Sequence, residues 1–297
     1  MDDPRSDKTA AWVPLALAGL FVFVAAPPFL PRWALFLLTV AWAKALVVLG
    51  VVLLLRAGLV SFGHGLYFAA GAYAAGFGVK TLGIQEGVAL AAFGLLAGGG
   101  LAALLGLLLA RYRAIFFALL NLAFSMVLYA LLLKFYWITG GSDGIGIRPP
   151  ALAGVMPSPE ALRVAHYYFA LVLGSFCSVR HTIYLAYVLA GLLGGRGGAL
   201  AAFAVGHILP EYAYWTQSGE FVFVAVLGGT GSVIAPVAGS IVFEFARNYA
   251  FKLSPYTWQM NLGIVLMLVI LFLPGGLWSL SAPLSQRWIS WRSRLKR

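Results

Sequence analysis

Cysteine is nearly absent from this chain, and so are the residue patterns that carry most enzymatic chemistry. Cys177 is the only cysteine, which excludes an intrachain disulfide and a cysteine-based metal cluster. The sequence contains no Gly-x-x-x-x-Gly-Lys phosphate loop and no His-Glu-x-x-His metal pattern. The polar loops offer no Ser-His-Asp set. We therefore expect a protein that is not an enzyme and that binds neither a cofactor nor a metal.

Charged residues are scarce as well. They make up 10% of the 297 residues, against about 25% in a typical soluble domain. Hydrophobic residues make up 62%, and the mean hydropathy is +0.93. So few polar side chains cannot cover the surface of a soluble fold of this size. The composition predicts an all-α fold, a polytopic membrane helical bundle.

The charge that is present is mostly positive, with a formal net charge of +11. In a soluble protein this excess would suggest a nucleic-acid partner, but here much of it lies in the tail, residues 286–297. Basic residues accumulate on the cytoplasmic side of membrane proteins, where anionic lipid attracts them. We therefore expect no nucleic acid, a cytoplasmic tail in contact with membrane lipid, and a cytoplasmic turn at Arg111 and Arg113.

Apolar runs approach or exceed the length of about 20 residues that crosses a bilayer. They cover residues 11–27, 33–55, 59–79, 88–110, 114–138, 182–206, 221–245 and 258–273. A shorter run, 166–177, could be a truncated or tilted helix. The sequence thus predicts about eight or nine membrane segments, with the polar connection 139–163 on the outside.

The run 221–245 is the least regular of these. Its centre reads Gly228-Gly-Thr-Gly-Ser-Val-Ile-Ala-Pro236, which disfavours a continuous helix. If every run crossed the membrane once from a cytoplasmic N-terminus, the basic tail would lie outside. We therefore expect this segment to be interrupted or re-entrant, which requires its backbone to be buried in protein or to line a cavity.

A second glycine-rich stretch runs from Gly58 to Tyr73 and includes Ser61 and His64. Small residues let helices approach closely, and polar residues at membrane depth face a bundle interior or a water-filled path. His64 could lie near a solute path or bond neighbouring backbone. The glycines could serve helix crossing or contact a substrate. Paired interrupted segments are typical of a transporter's substrate path.

Other polar residues lie within the apolar runs. Lys44 could pair with a carboxylate or extend towards an interface. Glu244 is one helical turn from Arg247, which favours a local ion pair. Asn121 and Ser125 share one helix face and could line a path, although hydrogen bonding between helices is the simpler interpretation.

Four blocks, in this order, resemble the branched-chain amino acid ABC transporter permeases, in particular the LivM-type subunit. They are Gly58-Leu-Val-Ser-Phe-Gly-His-Gly with Gly71-Ala-Tyr73, then Thr139-Gly-Gly-Ser-Asp-Gly-Ile-Gly146, then Val226-Leu-Gly-Gly-Thr-Gly-Ser232 with Pro236 and Gly239, and finally Leu271-Phe-Leu-Pro-Gly-Gly-Leu-Trp278. One such block would be weak, but four in order are specific.

The resemblance implies a multi-pass permease subunit of an importer in the inner (plasma) membrane. Its partners would be a second permease subunit, cytoplasmic ATP-binding subunits and a periplasmic substrate-binding protein. Residues 1–10 would be a cytoplasmic N-terminal segment, 11–280 the transmembrane permease domain and 281–297 the basic cytoplasmic tail.

The resemblance and the glycine-rich stretches together suggest two sets of site residues. The substrate path would be lined by Ser61, Phe62, Gly63, His64, Gly65, Tyr67, Phe68, Gly228, Gly229, Gly231 and Ser232. Ser142 and Asp143 would contact the binding protein or line an outer vestibule. Alternatively, these two residues form a turn in which Gly144 supplies an unusual backbone angle.

The chain departs from the family in one place. Members usually carry a cytoplasmic loop that docks on the ATPase, and here only Ser178-Val-Arg-His181 remains. Three alternatives to a branched-chain amino acid importer therefore stay open. They are a related importer for urea or short amides, a decayed permease that assembles without transporting, and an ATP-independent channel or carrier.

Overall fold

The computed structural model describes residues 30–109, 111–112, 114–147, 150–151, 183–253 and 275–281, with a few isolated positions between 255 and 273. The helices and strands are α1 (Arg32–Arg56), α2 (His64–Lys80), α3 (Gly87–Leu109), α4 (Ala114–Lys134), α5 (Tyr136–Thr139), β1 (Ile145–Gly146), α6 (Ile183–Val205), β2 (His207–Ile208), α7 (Trp215–Gly228) and α8 (Ala235–Leu253). The predicted runs 11–27 and 166–177, and most of 258–273, fall outside the described residues.

Four of the described helices are long and apolar enough to cross a membrane. They are Arg32–Arg56, Gly87–Leu109, Phe116–Lys134 and Ala186–Val205. The prediction of an all-α, polytopic membrane bundle is confirmed. The predicted run 59–79 contains the shorter helix α2, of 17 residues. The chain turns at Gly58, whose φ is 77°, and residues 59–63 are not helical.

Helix α6 is the centre of the bundle and packs against α1, α2 and α3. Glycines make this packing possible. A Cβ atom on Gly71 of α2 would collide with the backbone of Gly195 in α6, and one on Gly195 would collide with Gly94 and Gly98 of α3. Because these positions carry no side chain, the three backbones lie in direct contact.

The interruption predicted within 221–245 is confirmed. Helix α7 ends at Gly228, and Gly229 follows with a φ of 89°, a conformation that favours glycine. Helix α8 begins only at Ala235 and packs back against α7 and α1. At 14 residues, α7 is about 21 Å long, which is less than the hydrocarbon core of a bilayer.

The bundle has two distinguishable ends. At the first, which we call the Arg56 end, Arg56 of α1 contacts the turn between α7 and α8, and Leu54, Leu109 and Tyr187 share one core cluster. At the other, the Asp143 end, β1 pairs antiparallel with β2 and Glu86 forms a parallel bridge with Ala151. The basic turn at Arg111 and the polar loop at Asp143 thus lie at opposite ends.

Candidate functional site

The first glycine-rich stretch surrounds a buried polar cluster near the start of α2. The Oγ atom of Ser61 lies 2.8 Å from Nδ1 of His64. It also accepts a hydrogen bond of 2.6 Å from Nδ2 of Asn121 in α4. Ser61, His64 and Asn121 are fully buried. Ser61 therefore links His64, the first residue of α2, to the face of α4 that carries Asn121.

Two tyrosines extend this cluster towards α6. The hydroxyl of Tyr187 donates a hydrogen bond of 3.1 Å to Oδ1 of Asn121, and it also contacts the hydroxyl of Tyr67. Because Tyr187 uses its proton on Asn121, Tyr67 is the donor in the tyrosine pair. The rings of the two tyrosines meet edge to face. Asn121 thus bonds between helices, as predicted.

One atom of the cluster stands out. The Nε2 atom of His64 is buried and has no hydrogen-bond partner among the residues that the structure describes. It faces the small residue Gly50 of α1, where an added Cβ would lie 3.3 Å from it. His64 therefore bonds the local serine through one nitrogen and leaves the other unsatisfied in a tightly packed helix interface.

The first stretch also packs onto α7. The backbone N–H of Gly65 donates a hydrogen bond of 2.9 Å to Oγ of Ser218. The ring of Phe68 lies 5.2 Å from the ring of Phe221, centre to centre. Tyr67 and Phe68 are both buried in the core, whereas Phe62 is 38% exposed. The predicted path residues of this stretch are thus close together but differ in accessibility.

The second stretch lies at the Arg56 end. A Cβ on Gly228 would collide with the carbonyl of Ala235, and one on Gly229 with Gly275, so the turn is closely packed on both sides. An added Cβ on Gly231 would lie 3.1 Å from the ring of Trp278. The Oγ atom of Ser232 accepts a hydrogen bond of 3.3 Å from the N–H of Ile234. This serine therefore stabilises the start of α8.

The two stretches touch α7 at different levels. The first contacts Ser218, and the second begins at Gly228. Ten residues of helix separate these positions, which corresponds to about 15 Å. The second stretch is connected to α1 instead, because the Nε atom of Arg56 donates a hydrogen bond of 2.9 Å to the carbonyl oxygen of Thr230.

Ser142 and Asp143 form a short 3₁₀ turn that is exposed at the Asp143 end. The predicted turn geometry is present, since Gly144 has a φ of 71°. The hydroxyl of Tyr136 donates a hydrogen bond of 3.1 Å to Oδ2 of Asp143, and this bond raises the pKa of the tyrosine above its ordinary value. The turn leaves both residues accessible to a partner.

A network of four charged residues joins α1, α7 and α8. The Nζ atom of Lys44 lies 2.6 Å from Oε1 of Glu244 and 2.9 Å from Oε1 of Glu220. Arg247 is 3.1 Å from Glu220 but 3.9 Å from Glu244. Gln217 donates a hydrogen bond of 3.0 Å to Oε2 of Glu220. Two cations thus balance two carboxylates, as burial requires.

This network confirms that Lys44 pairs with a carboxylate and that Glu244 forms a local ion pair with Arg247, at 3.9 Å. Lys44 is the nearer partner of Glu244, because α8 packs against α1 along this face. Glu220 was missed, because it immediately precedes the apolar run predicted to begin at 221. In the structure Glu220 lies within α7, which starts five residues earlier, at Trp215.

Ser125 completes the polar contacts of α4. Its hydroxyl donates a hydrogen bond of 2.6 Å to the carbonyl oxygen of Ala213, in the short segment that leads into α7. This contact agrees with the predicted hydrogen bonding between helices. Within the part of the chain that the structure describes, no group of three or more His, Cys, Asp or Glu residues could hold a metal ion.

Comparisons with known proteins bear on this arrangement. A family model described as the permease component of a branched-chain amino acid transport system matches residues 33–176 and 173–273. LivM of Escherichia coli (strain K12), a high-affinity branched-chain amino acid transport system permease protein, is 25% identical over 334 aligned residues, covering 94% of this chain and 78% of LivM. Its counterpart in Salmonella typhimurium is 23% identical, with the same coverage. No solved structure matches the chain.

Proposed function

Because this chain belongs to the family of permease components of branched-chain amino acid transport systems, we propose that it is one permease subunit of an ABC importer for these amino acids. The observation that carries the proposal is the family match, which extends over most of the chain. The named relatives are transport permeases and not enzymes. In the proposed complex a second permease subunit completes the path, and cytoplasmic ATP-binding subunits drive it.

The proposed path follows the residues of the two interrupted segments. Ser61 and His64 supply the polar side chains of the first segment. The backbone N–H of Gly65 donates to Ser218 in this conformation, so it must be released before it can meet an amino acid carboxylate at the start of α2. The turn from Gly228 to Ser232 provides the second segment at the Arg56 end. Tyr67 and Phe68 are buried in this conformation, so transport requires α6 or α7 to move relative to α2 before these rings meet a substrate.

The proposed orientation places the Arg56 end in the cytoplasm and the Asp143 end outside the inner membrane. Arg56 and Arg111 support it, because basic residues accumulate on the cytoplasmic side. In this orientation Ser142 and Asp143 face the periplasmic substrate-binding protein. The ATP-binding subunits dock at the Arg56 end, and the basic tail reaches anionic lipid there.

Coupling to the ATPases distinguishes this proposal from a second one. The family match is divided into two pieces that meet at residues 173–176, next to the connection in which the sequence lacks the docking loop. The alignment with LivM is also longer, at 334 positions, than the 297 residues of this chain. These observations favour, as the second candidate, a decayed permease that assembles with its partners but does not transport.

A co-purification experiment separates the two candidates. The chain would be expressed with its candidate partner permease and both ATPases, solubilised in detergent and captured. For an importer we expect the ATPases to co-purify and their hydrolysis to respond to loaded binding protein. Recovery of the partner permease without the ATPases would instead identify a decayed permease.

A substitution experiment then tests the path. Gly63→Leu and Gly65→Leu should abolish leucine uptake while leaving membrane insertion intact, because their side chains would meet Asn121 and Ser218. Gly100→Leu is the matched control, since nothing lies within 4 Å of a Cβ at that exposed glycine. Full uptake by both path variants would contradict the proposed path.

A further inference from the structure

The network of four charged residues lies near the middle of the membrane. Lys44 is the middle residue of α1, twelve residues from each end, and α1 is one of the helices able to cross a membrane. Twelve residues of helix correspond to about 18 Å, which places Lys44 close to the centre of a hydrocarbon core about 30 Å thick. Glu220 lies 2.9 Å from the lysine and 3.1 Å from Arg247. Both residues therefore occupy the depth at which charge in contact with lipid is most costly.

The network reaches the surface of the bundle at Arg247. The side chains of Lys44 and Glu244 are 7% and 6% exposed, whereas that of Arg247 is 37% exposed. The arginine does not extend towards an interface, because its Nη1 atom is held 3.1 Å from Glu220. Charged residues at this depth face protein or a water-filled cavity. Lipid is therefore not what covers this part of α8.

Helix α7 continues the same face. Thr216, Gly219, Glu220, Phe223 and Val226 follow one another at intervals of one to four residues that keep to one side of a helix, and none of them is buried. Phe223 is 46% exposed and Val226 is 39% exposed. Neither α7 nor α8 is among the described helices that are long and apolar enough to cross a membrane. An aromatic residue and an arginine on one exposed face are typical of protein interfaces.

The outward faces of α3 and α4 have a different character. Every exposed residue that the structure describes in α3, and in α4 up to Leu133, is apolar or glycine. The most exposed of them are Leu96, Leu104, Leu107 and Phe116. Such faces suit acyl chains, which are as apolar as leucine. The bundle thus has sides that lipid can cover and one side, at α7 and α8, that it cannot.

Gly219 lies at the centre of the exposed face of α7. Among the described residues, nothing lies within 4 Å of a Cβ added at this glycine. In α2 and α6 the space beside a glycine is filled by a neighbouring backbone, as at Gly71 against Gly195. Gly100 of α3 is also open, but α3 carries no charged residue. An open glycine next to Glu220 leaves room for a helix of another protein to approach closely.

We propose that this face packs against the second permease subunit inside the membrane. The Gly219 face, as we call it, consists of Thr216, Gly219, Glu220, Phe223, Val226 and Arg247. The proposal rests on the proposed function and adds to it the side of this chain on which the partner lies. Lipid is disfavoured by Arg247, and a water-filled space is disfavoured by Phe223 and Val226. Because Arg247 is the most exposed residue of the network, the partner presents a hydrogen-bond acceptor to it, such as a carboxylate.

Assembly provides the first test. The chain would be expressed with its candidate partner permease and both ATPases, then captured from detergent. Gly219→Trp puts a large side chain where this chain has open space, so the variant should fold alone but collide with the partner. We expect the recovery of the partner permease to fall about tenfold or more. Gly100→Trp, at the open glycine of α3, is the matched control and should leave the recovery unchanged.

Photo-cross-linking provides the second test and does not depend on how Gly219→Trp folds. Phe223 would be replaced by p-benzoyl-L-phenylalanine, and the complete complex would be irradiated in membranes. We expect a covalent product with the second permease subunit, identified by mass spectrometry. The same replacement at Phe93 of α3, which is 41% exposed, is the matched control and should label lipid.

Each remaining outcome has a definite meaning. If the wild-type chain recovers the partner permease but a folded Gly219→Trp variant recovers it equally well, the inference is overturned and the proposed function stands. Products at Phe223 with lipid alone or with a second copy of this chain, or no product at all, also overturn it. If the wild-type chain recovers no partner permease, the proposed importer fails, and the inference fails with it.

Discussion

The Nζ atom of Lys44 lies 2.6 Å from Oε1 of Glu244, although 200 residues of chain separate the two side chains. The same ammonium group is 2.9 Å from Glu220. One lysine of α1 therefore holds both α7 and α8, the two helices on either side of the interrupted segment. Charged groups are costly inside a membrane bundle unless they are paired. This contact therefore determines the position of the interrupted segment relative to α1.

The first prediction concerns this lysine. Lys44→Met should lower the free energy of unfolding by about 3–5 kcal/mol, because it leaves two buried carboxylates with one cation. The double variant Lys44→Met with Glu244→Gln should recover most of the loss, since Glu220 keeps Arg247. Thermal denaturation of the detergent-solubilised chain measures both. Lys80→Met, at an exposed lysine, is the control, and an equal loss in that variant would contradict the role of the network.

The second prediction concerns the contact between α2 and α6. Gly71→Ala should prevent normal folding, because the added methyl group collides with the backbone of Gly195, which cannot move aside as a flexible side chain could. Gly100→Ala should instead stabilise α3 by about 1 kcal/mol, because it raises helix propensity where there is open space. The yield of monodisperse protein after size-exclusion chromatography distinguishes the two. Similar yields would show that the helices are not in backbone contact.

The third prediction concerns the buried polar cluster. Asn121→Leu removes the hydrogen bonds to Ser61 and Tyr187. Ser61 keeps His64, but the buried hydroxyl proton of Tyr187 loses its acceptor, which should cost about 1–3 kcal/mol. Tyr187→Phe removes the hydroxyl that contacts both Asn121 and Tyr67 and should cost a similar amount. The midpoint of thermal unfolding in detergent measures both variants, and an unchanged midpoint in either would contradict the assigned hydrogen bonds.

The fourth prediction concerns the Arg56 end. Arg56→Gln removes the hydrogen bonds from the guanidinium group to Thr230, so the amides of residues 229–234 should exchange faster with solvent deuterium. Global stability should change little, because the pair is exposed. Hydrogen exchange followed by mass spectrometry measures this. Arg111→Gln, an exposed arginine at the same end, serves as the control and should leave exchange in that turn unchanged.

The helices that the sequence predicted best are those with uninterrupted apolar runs. The run 33–55 became α1, Arg32–Arg56, because a run of this length in a membrane has no alternative to a helix. The break between α7 and α8 was also predictable, since several glycines and a proline in the centre of 221–245 disfavour a helix. The start of α2 at His64 was not, because the residues before it are as apolar as those within it.

The candidate site was predicted less completely than the fold. Ser61, His64 and Asn121 were identified as polar residues in apolar runs, but that they bond one another was not. Tyr187 was overlooked because a tyrosine near the start of an apolar run is usual at a membrane interface. Its hydrogen bond to Asn121 spans 66 positions, and no local pattern encodes a partner at that distance.

The sequence by itself determined the class of protein, the membrane helices with unbroken apolar runs and the location of the break, because these follow from local composition and backbone propensity. Only the tertiary structure decided the partners. It paired Lys44 with Glu220 and Glu244 and placed the two glycine-rich stretches at different levels of α7. These relationships depend on how helices far apart in the chain pack, and packing is set by the shape and polarity of whole faces.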